Sequence, residues 1–119
     1  MAHYAQLDNS NKVINVVVVN NNVTFNDDGI EVEDLGINHL KSIYGNDTIW
    51  VQTSINDNIR KQYAAVGGSY DTSNDVFLMP KPFSSWTLND TFDWEAPEPY
   101  PTDGEKYFWD EDNQDWVLP

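Results

Sequence analysis

A chain of 119 residues is one domain of ordinary size, able to bury a modest core that partner subunits can complete. With 39% hydrophobic and 13% aromatic residues it is too apolar to be disordered, and since Leu is scarce, Trp, Tyr and Phe must supply much of the burial. Twenty acidic residues against six basic ones leave a formal net charge of −14, which repels phosphate backbones and anionic lipid and argues against nucleic-acid or membrane partners. The plain consequence of that charge is solubility. A sharper one is loading by divalent cations in a salty medium.

The absence of cysteine removes disulfides, thiol catalysis, thiolate metal sites and iron–sulfur clusters together. The opening Met1 to Gln6 has no basic stretch leading into an apolar run, so no signal peptide is expected. The apolar runs, Val16 to Val19 among the longest, are far too short to span a bilayer.

Along the chain, Tyr4–Leu7 reads as a short strand, Asp8–Lys12 as a turn, and Val13–Val19 as a β-branched strand. The density of valine there predicts burial on both faces or a subunit contact. Asn20–Asn22 and Asn26–Gly29 read as loops. Between Ile30 and Gly45, Ile37, Leu40, Ile43 and Tyr44 recur at helical spacing, with Asp34 or Asn38 as cap and Gly45 as stop. Thr48–Ser54 is a further strand. The segment Ile55–Tyr63 holds the basic cluster Arg60–Lys61, and Gly67–Gly68 permits a turn or a close backbone approach.

From Tyr70 an internal repeat sets in: an aromatic, a short turn of Asn, Asp or Ser, and another aromatic. The units are Tyr70–Phe77, Trp86–Trp94 and Trp109–Trp116. Two-residue loops at Ser73–Asn74 and Asp112–Asn113 would set Tyr70 opposite Phe77 and Trp109 opposite Trp116, each pair adding roughly 0.2–1 kcal/mol over alanines. The Trp86–Trp94 unit is one residue longer and calls for a wider loop or a bulge. Pro80-Lys81-Pro82 and Pro97-Glu98-Pro99-Tyr100-Pro101 connect the units and favour extended polyproline geometry.

The expected fold is therefore mainly β, α+β at most. It comprises a small antiparallel β domain with one short helix (residues 1–66) and a C-terminal region of aromatic β-hairpins joined by Pro-rich connectors (67–119), and the two can pack as one domain.

Chemistry is sparse. Asp110–Asp115 resembles the start of a calcium loop but lacks the central Gly and distal Glu; a solvated hairpin tip is the simpler reading, and no cofactor is expected. His3 and His39 are too few for a zinc site. No serine sits in a nucleophile elbow, and Gly67–Gly68 is not followed by the residues of a phosphate loop. The chain is expected not to be an enzyme. Trp86, Trp94, Trp109 and Trp116 are either hairpin core or a surface platform for stacking sugars. The sequons at Asn22, Asn46 and Asn89 are most simply chance in an Asn-rich chain.

Several stretches together resemble a family of short proteins encoded by marine tailed phages of cyanobacteria and abundant ocean heterotrophs. They are Met1–Asp8, Val13–Asn20, Gly36–Asn38, Lys41–Gly45, Trp50–Ser54, Arg60–Lys61, Tyr63–Ala64, Tyr70–Asp71, Pro80–Pro82, Ser85–Leu88, Trp94–Pro97, Pro99–Gly104 and Tyr107–Trp116. The resemblance implies a virion or virion-assembly role, with assembly in the host cytoplasm. The expectation is a head decoration or cement protein, homo-oligomeric and bound to other virion proteins such as the major capsid protein. Its docking residues would be Val16, Val17, Val18 and Val19 by edge pairing, with Arg60 and Lys61 as a polar anchor. The alternatives are a tail, neck or fibre component contacting host glycans through the tryptophans, and a tail-fibre assembly chaperone.

Overall fold

The computed structural model describes residues 2–56 and 59–119; Met1, and Asp57 and Asn58 within the basic segment, lie outside the described residues. The chain is mainly β, as expected, and forms two compact units, one ending at Pro80 and the other spanning Lys81–Pro119.

The first unit is built on a three-stranded antiparallel sheet of β1 (Ala2–Leu7), β2 (Val13–Val19) and β3 (Ile49–Thr53), in the order β2-β1-β3. β1 pairs with β2 from Ala2–Val19 to Gln6–Asn15, then shifts register to Leu7–Val13. Ile14 is the extra residue of that bulge and is left exposed. The central strand is buried on both faces because successive side chains alternate. Ala2 and Tyr4 join Val19, Trp50 and Leu40 on one face, whereas Ala5 and Leu7 join Val13, Ala64 and Phe77 on the other.

Two helices follow β2: α1 (Asn21–Thr24) and α2 (Glu33–Tyr44). α1 replaces part of the loop expected at Asn20–Asn22, because the Asn20 side chain caps it by accepting from the Asn22 N–H at 3.1 Å. α2 begins at Glu33 rather than Ile30. The preceding residues are held extended by the Phe25–Glu31 bridge and by the Val32 N–H donating to the Thr24 carbonyl at 2.8 Å. Neither Asp34 nor Asn38 caps it; Val32 stands at the cap without a side-chain bond, and Glu33 and Asp34 lie in the first turn, where the helix dipole favours carboxylates. Gly45 ends it as expected, at φ 122°. Ile37 and Leu40 face the sheet, Tyr44 meets Trp50 at 5.2 Å between ring centroids, and Ile43 points outward.

α2 approaches the sheet closely at Gly36. A Cβ there would overlap the Tyr4 ring, so this helical glycine is required by packing. Tyr4 itself is fully buried, and its hydroxyl donates to the Glu33 carbonyl at 3.1 Å.

The opposite face is covered by residues 60–78, including the hairpin of β4 (Ser69–Asp71) and β5 (Val76–Leu78). The first unit thus runs past the boundary expected at Gly67–Gly68, because Phe77 is part of its core. The glycine pair serves a close approach within the chain: the Val13 N–H donates to the Gly68 carbonyl at 2.8 Å and the Gly67 N–H to the Val13 carbonyl at 2.9 Å.

The second unit contains two hairpins, β6 (Thr87–Leu88) with β7 (Trp94–Glu95) and β8 (Phe108–Asp110) with β9 (Asp115–Val117). Trp109 does pair with Trp116, and Tyr70 with Phe77 in the first unit, in the expected register. The loops differ: the ladders stop at Asp71–Val76 and Asp110–Asp115, leaving four-residue loops instead of two. Each is closed by the same device. Asp71 accepts from the Asn74 backbone and side chain, Asp110 likewise from Asn113, and the last loop residue, Asp75 or Gln114, takes positive φ.

A second turn design recurs across the chain. Asp8, Asn26 and Asn89 each accept, through one side-chain oxygen, the N–H groups two and four residues on, at 2.8–3.0 Å. The fourth residue of each loop, Asn11, Gly29 or Phe92, has φ between 63° and 76°. Short Asx side chains thereby organise turns locally, which is why these loops are legible in the sequence.

Candidate functional site

The two edges of the sheet in the first unit are treated differently. On the β3 side, the Gln52 N–H donates to Glu33 Oε2 at 2.7 Å and the Gln52 carbonyl accepts from Arg60 Nη1 at 2.9 Å. A carboxylate and a guanidinium thus take the place that a further strand would occupy, which is one way of blunting an exposed edge. Arg60 also donates to Glu33 Oε1 at 3.1 Å and, through Nε, to Asp75 Oδ1 at 2.7 Å. It thereby ties α2, β3 and the β4–β5 hairpin together.

Arg60 was expected as a docking anchor, but its guanidinium is turned into the fold, with its side chain 19% exposed. Burial opposes its charge, yet the hydrogen bond to Asp75 and the charge of Glu33 outweigh burial and hold its pKa above the ordinary value. Asp75 is held below the usual carboxylate range by hydrogen bonds from Tyr70 and Arg60. Arg60 and Lys61 both adopt positive φ, at 50° and 71°, so the loop is bent to deliver this guanidinium.

The β2 edge follows a different rule. Its start is covered by Gly67–Tyr70, through the Val13 bonds and through the Tyr70 N–H donating to the Asn11 carbonyl at 2.9 Å. Beyond Val13, no main-chain bond outside the sheet reaches Ile14–Val19 among the described residues. Alternation identifies the exposed groups. Gln52 turns its polar groups outward, so Tyr4 opposite it bonds toward β2 through Val17, and Val16 and Val18 must point theirs away from the sheet. Of the valines expected to dock, Val19 is buried in the core, Val16 and Val17 are half-buried against opposite faces, and Val18 is exposed.

The second unit gathers Trp86, Trp109 and Trp116 with Phe83 and Tyr100. Trp109 and Trp116 lie 5.1 Å apart at 69°, Trp86 meets Trp109 at 5.9 Å and 87°, and Tyr100 meets Trp116 at 4.9 Å and 74°. These edge-to-face contacts turn the rings toward one another, so they pack as a cluster in which each ring stays partly exposed. Glu111 binds the connector to the hairpin: it accepts from the Ser85 N–H and hydroxyl and from Trp109 Nε1, bonds that lower its pKa. Trp116 Nε1 donates to the Glu98 carbonyl at 2.8 Å. Trp94 carries the Lys81 ammonium 5.7 Å above its ring. On the other face of the β8–β9 hairpin, Phe108 and Val117 stand opposite each other and exposed.

The acidic turns are occupied by turn chemistry. Asn26 and Asp110 use their side-chain oxygens on neighbouring N–H groups, and no group of three or more His, Cys, Asp or Glu suited to a metal occurs among the described residues. A polar cleft of about 220 Å³ opens beside His3, Glu31, Gln52 and Ser54. There Glu31 accepts from Gln52 Nε2 at 2.5 Å, Ser54 Oγ accepts from the Asn56 N–H at 3.3 Å, and the His3 ring meets Tyr63 edge-on at 5.7 Å. The Ser54 oxygen and the His3 ring thus meet different neighbours. No helix among the described residues is long and apolar enough to cross a membrane.

Glu33, Asp75 and Glu111 escaped the sequence reading. Each acts on a group 15 to 27 residues away, so no local pattern marks it. Compared with known proteins, the chain matches no family model, no curated protein and no solved structure.

Proposed function

We propose that this chain is a non-enzymatic structural protein of a tailed-phage particle, seated on the outer capsid surface as a decoration or cement protein. The observation that carries the reading is the asymmetry of the sheet: one edge closed at Gln52 by Glu33 and Arg60, the other with the outward main-chain groups of Val16 and Val18 unpaired among the described residues. A small protein whose hairpin aromatics are engaged with one another, and which leaves a strand edge available, is suited to docking rather than to turnover. The sequence resemblance points to the particle, and the acidity suits a surface facing salt water.

A second reading is a tail, neck or fibre component that meets host glycans. It draws on the half-exposed rim of the second unit, where Tyr100 is 48% and Phe83 38% exposed beside the tryptophan cluster. The third alternative, a tail-fibre assembly chaperone, predicts a chain that leaves the finished particle.

The test is the copy number in purified virions, by quantitative mass spectrometry normalised to the major capsid protein. Hundreds of copies support the head role. A handful to a few dozen move the chain to the tail, neck or fibres. Absence from the particle overturns the structural reading and leaves the chaperone.

A further inference from the structure

We infer that the β2 edge is a strand-addition site, and that its occupant is an extended segment of another protein carrying more basic than acidic side chains. The inference deepens the reading of the chain as a docking component and rests on it. Three observations carry it. First, the outward N–H and C=O groups of Val16 and Val18 form a short ladder with no partner among the described residues. Second, the same edge already accepts an antiparallel segment one step away, where Gly67–Tyr70 pairs beside Val13 and Lys12. An incoming strand would continue that pairing toward Val19. Third, Val18 within the ladder and Ile14 beside it are 51% and 48% exposed, apolar surface that such a strand would cover.

Charge selects the occupant. A second copy would bring two bodies of net charge −14 edge to edge, with repulsion opposing the four main-chain bonds to be gained. A basic segment reverses that sign and adds long-range attraction during encounter. The opposite edge is excluded at Gln52, whose polar groups are already taken by Glu33 and Arg60.

The direct test uses the full chain and two octapeptides, one alternating lysine with valine and one alternating glutamate with valine, read by amide hydrogen exchange. The lysine peptide should slow exchange at Val16 and Val18 by about tenfold or more, with Val17 already protected by β1 and little changed. The glutamate peptide should not. Val18→Pro removes an outward N–H and leaves the β1–β2 ladder intact, so it should abolish the effect. Val18→Lys keeps the backbone and sets a cation against the incoming one, and it guards against a proline variant that fails to fold.

No protection by the lysine peptide overturns strand addition. Equal protection by both peptides overturns the basic occupant, and so does a dimer in sedimentation that Val18→Lys dissolves. Protection in this assay combined with absence of the chain from virions sinks the particle reading alone.

Discussion

Tyr4 is the residue on which the first unit closes. Burial, with added repulsion from Glu33, Glu31 and Asp34, pushes its hydroxyl up to about 12. The unfolded chain ionises near the ordinary tyrosine value, so between about 10 and 12 the unfolded state holds fewer protons than the folded one, and stability falls as pH rises. The loss should approach on the order of 2 kcal/mol in alkaline denaturant melts and should be absent in Tyr4→Phe. That variant itself should cost about 1 kcal/mol at neutral pH, the worth of the bond to the Glu33 carbonyl. Gly36→Ala is expected to be harsher, about 1–3 kcal/mol, since the new methyl meets the Tyr4 ring inside a packed interface.

The acidic side behaves oppositely. Asp75 is depressed by Tyr70 and then Arg60, so its contribution is present above the ordinary carboxylate range and disappears as pH falls through its lowered folded value. Thermal melts taken downward from neutral pH should therefore show a steeper acid loss in the parent than in Asp75→Asn. Arg60→Gln should lower stability by about 1–3 kcal/mol, because Glu33, Asp75 and the Gln52 carbonyl lose a shared donor together. An unchanged melting temperature in that variant would show that the guanidinium is dispensable to the fold.

At the scale of elements, the hairpins differ in what holds them. β4–β5 is secured by Phe77 in the core of the first unit, whereas β8–β9 relies on the aromatic cluster of Lys81–Pro119. Trp109→Ala or Trp116→Ala should therefore cost about 1–3 kcal/mol of the second unit's stability, since each ring is partly buried, and weaken its near-ultraviolet circular dichroism. Normal melting together with lost host adsorption would instead reveal a sugar-stacking role. Tyr100→Ala separates these cases from the other side, since its ring is half-exposed. Loss of adsorption at unchanged stability would favour the tail or fibre reading.

For the molecule as a whole, the net acidic charge governs how the chain meets other bodies. A net charge of −14 opposes self-association at low salt and relaxes as salt screens it. A docked chain held partly by a basic partner should be released from particles as salt rises, and retention at high salt would point to the apolar and main-chain part of the contact instead.

What could be read directly from the residues was local. Asp8, Asn26 and Asn89 organise their turns within five residues, the valines of β2 demand a strand, and Trp109 faces Trp116 because a hairpin's register follows from its turn. Helix α2 was legible from Ile37 and Leu40, though its start was not, since the pairing of Phe25 with Glu31 sets it. Only the tertiary structure carried the first unit on to Pro80, drew Arg60 inward and left the outward main-chain groups of Val16 and Val18 unpaired among the described residues. Each of those outcomes depends on groups far apart in sequence, where the energy of a contact is realised only after the chain has folded to bring its partners together.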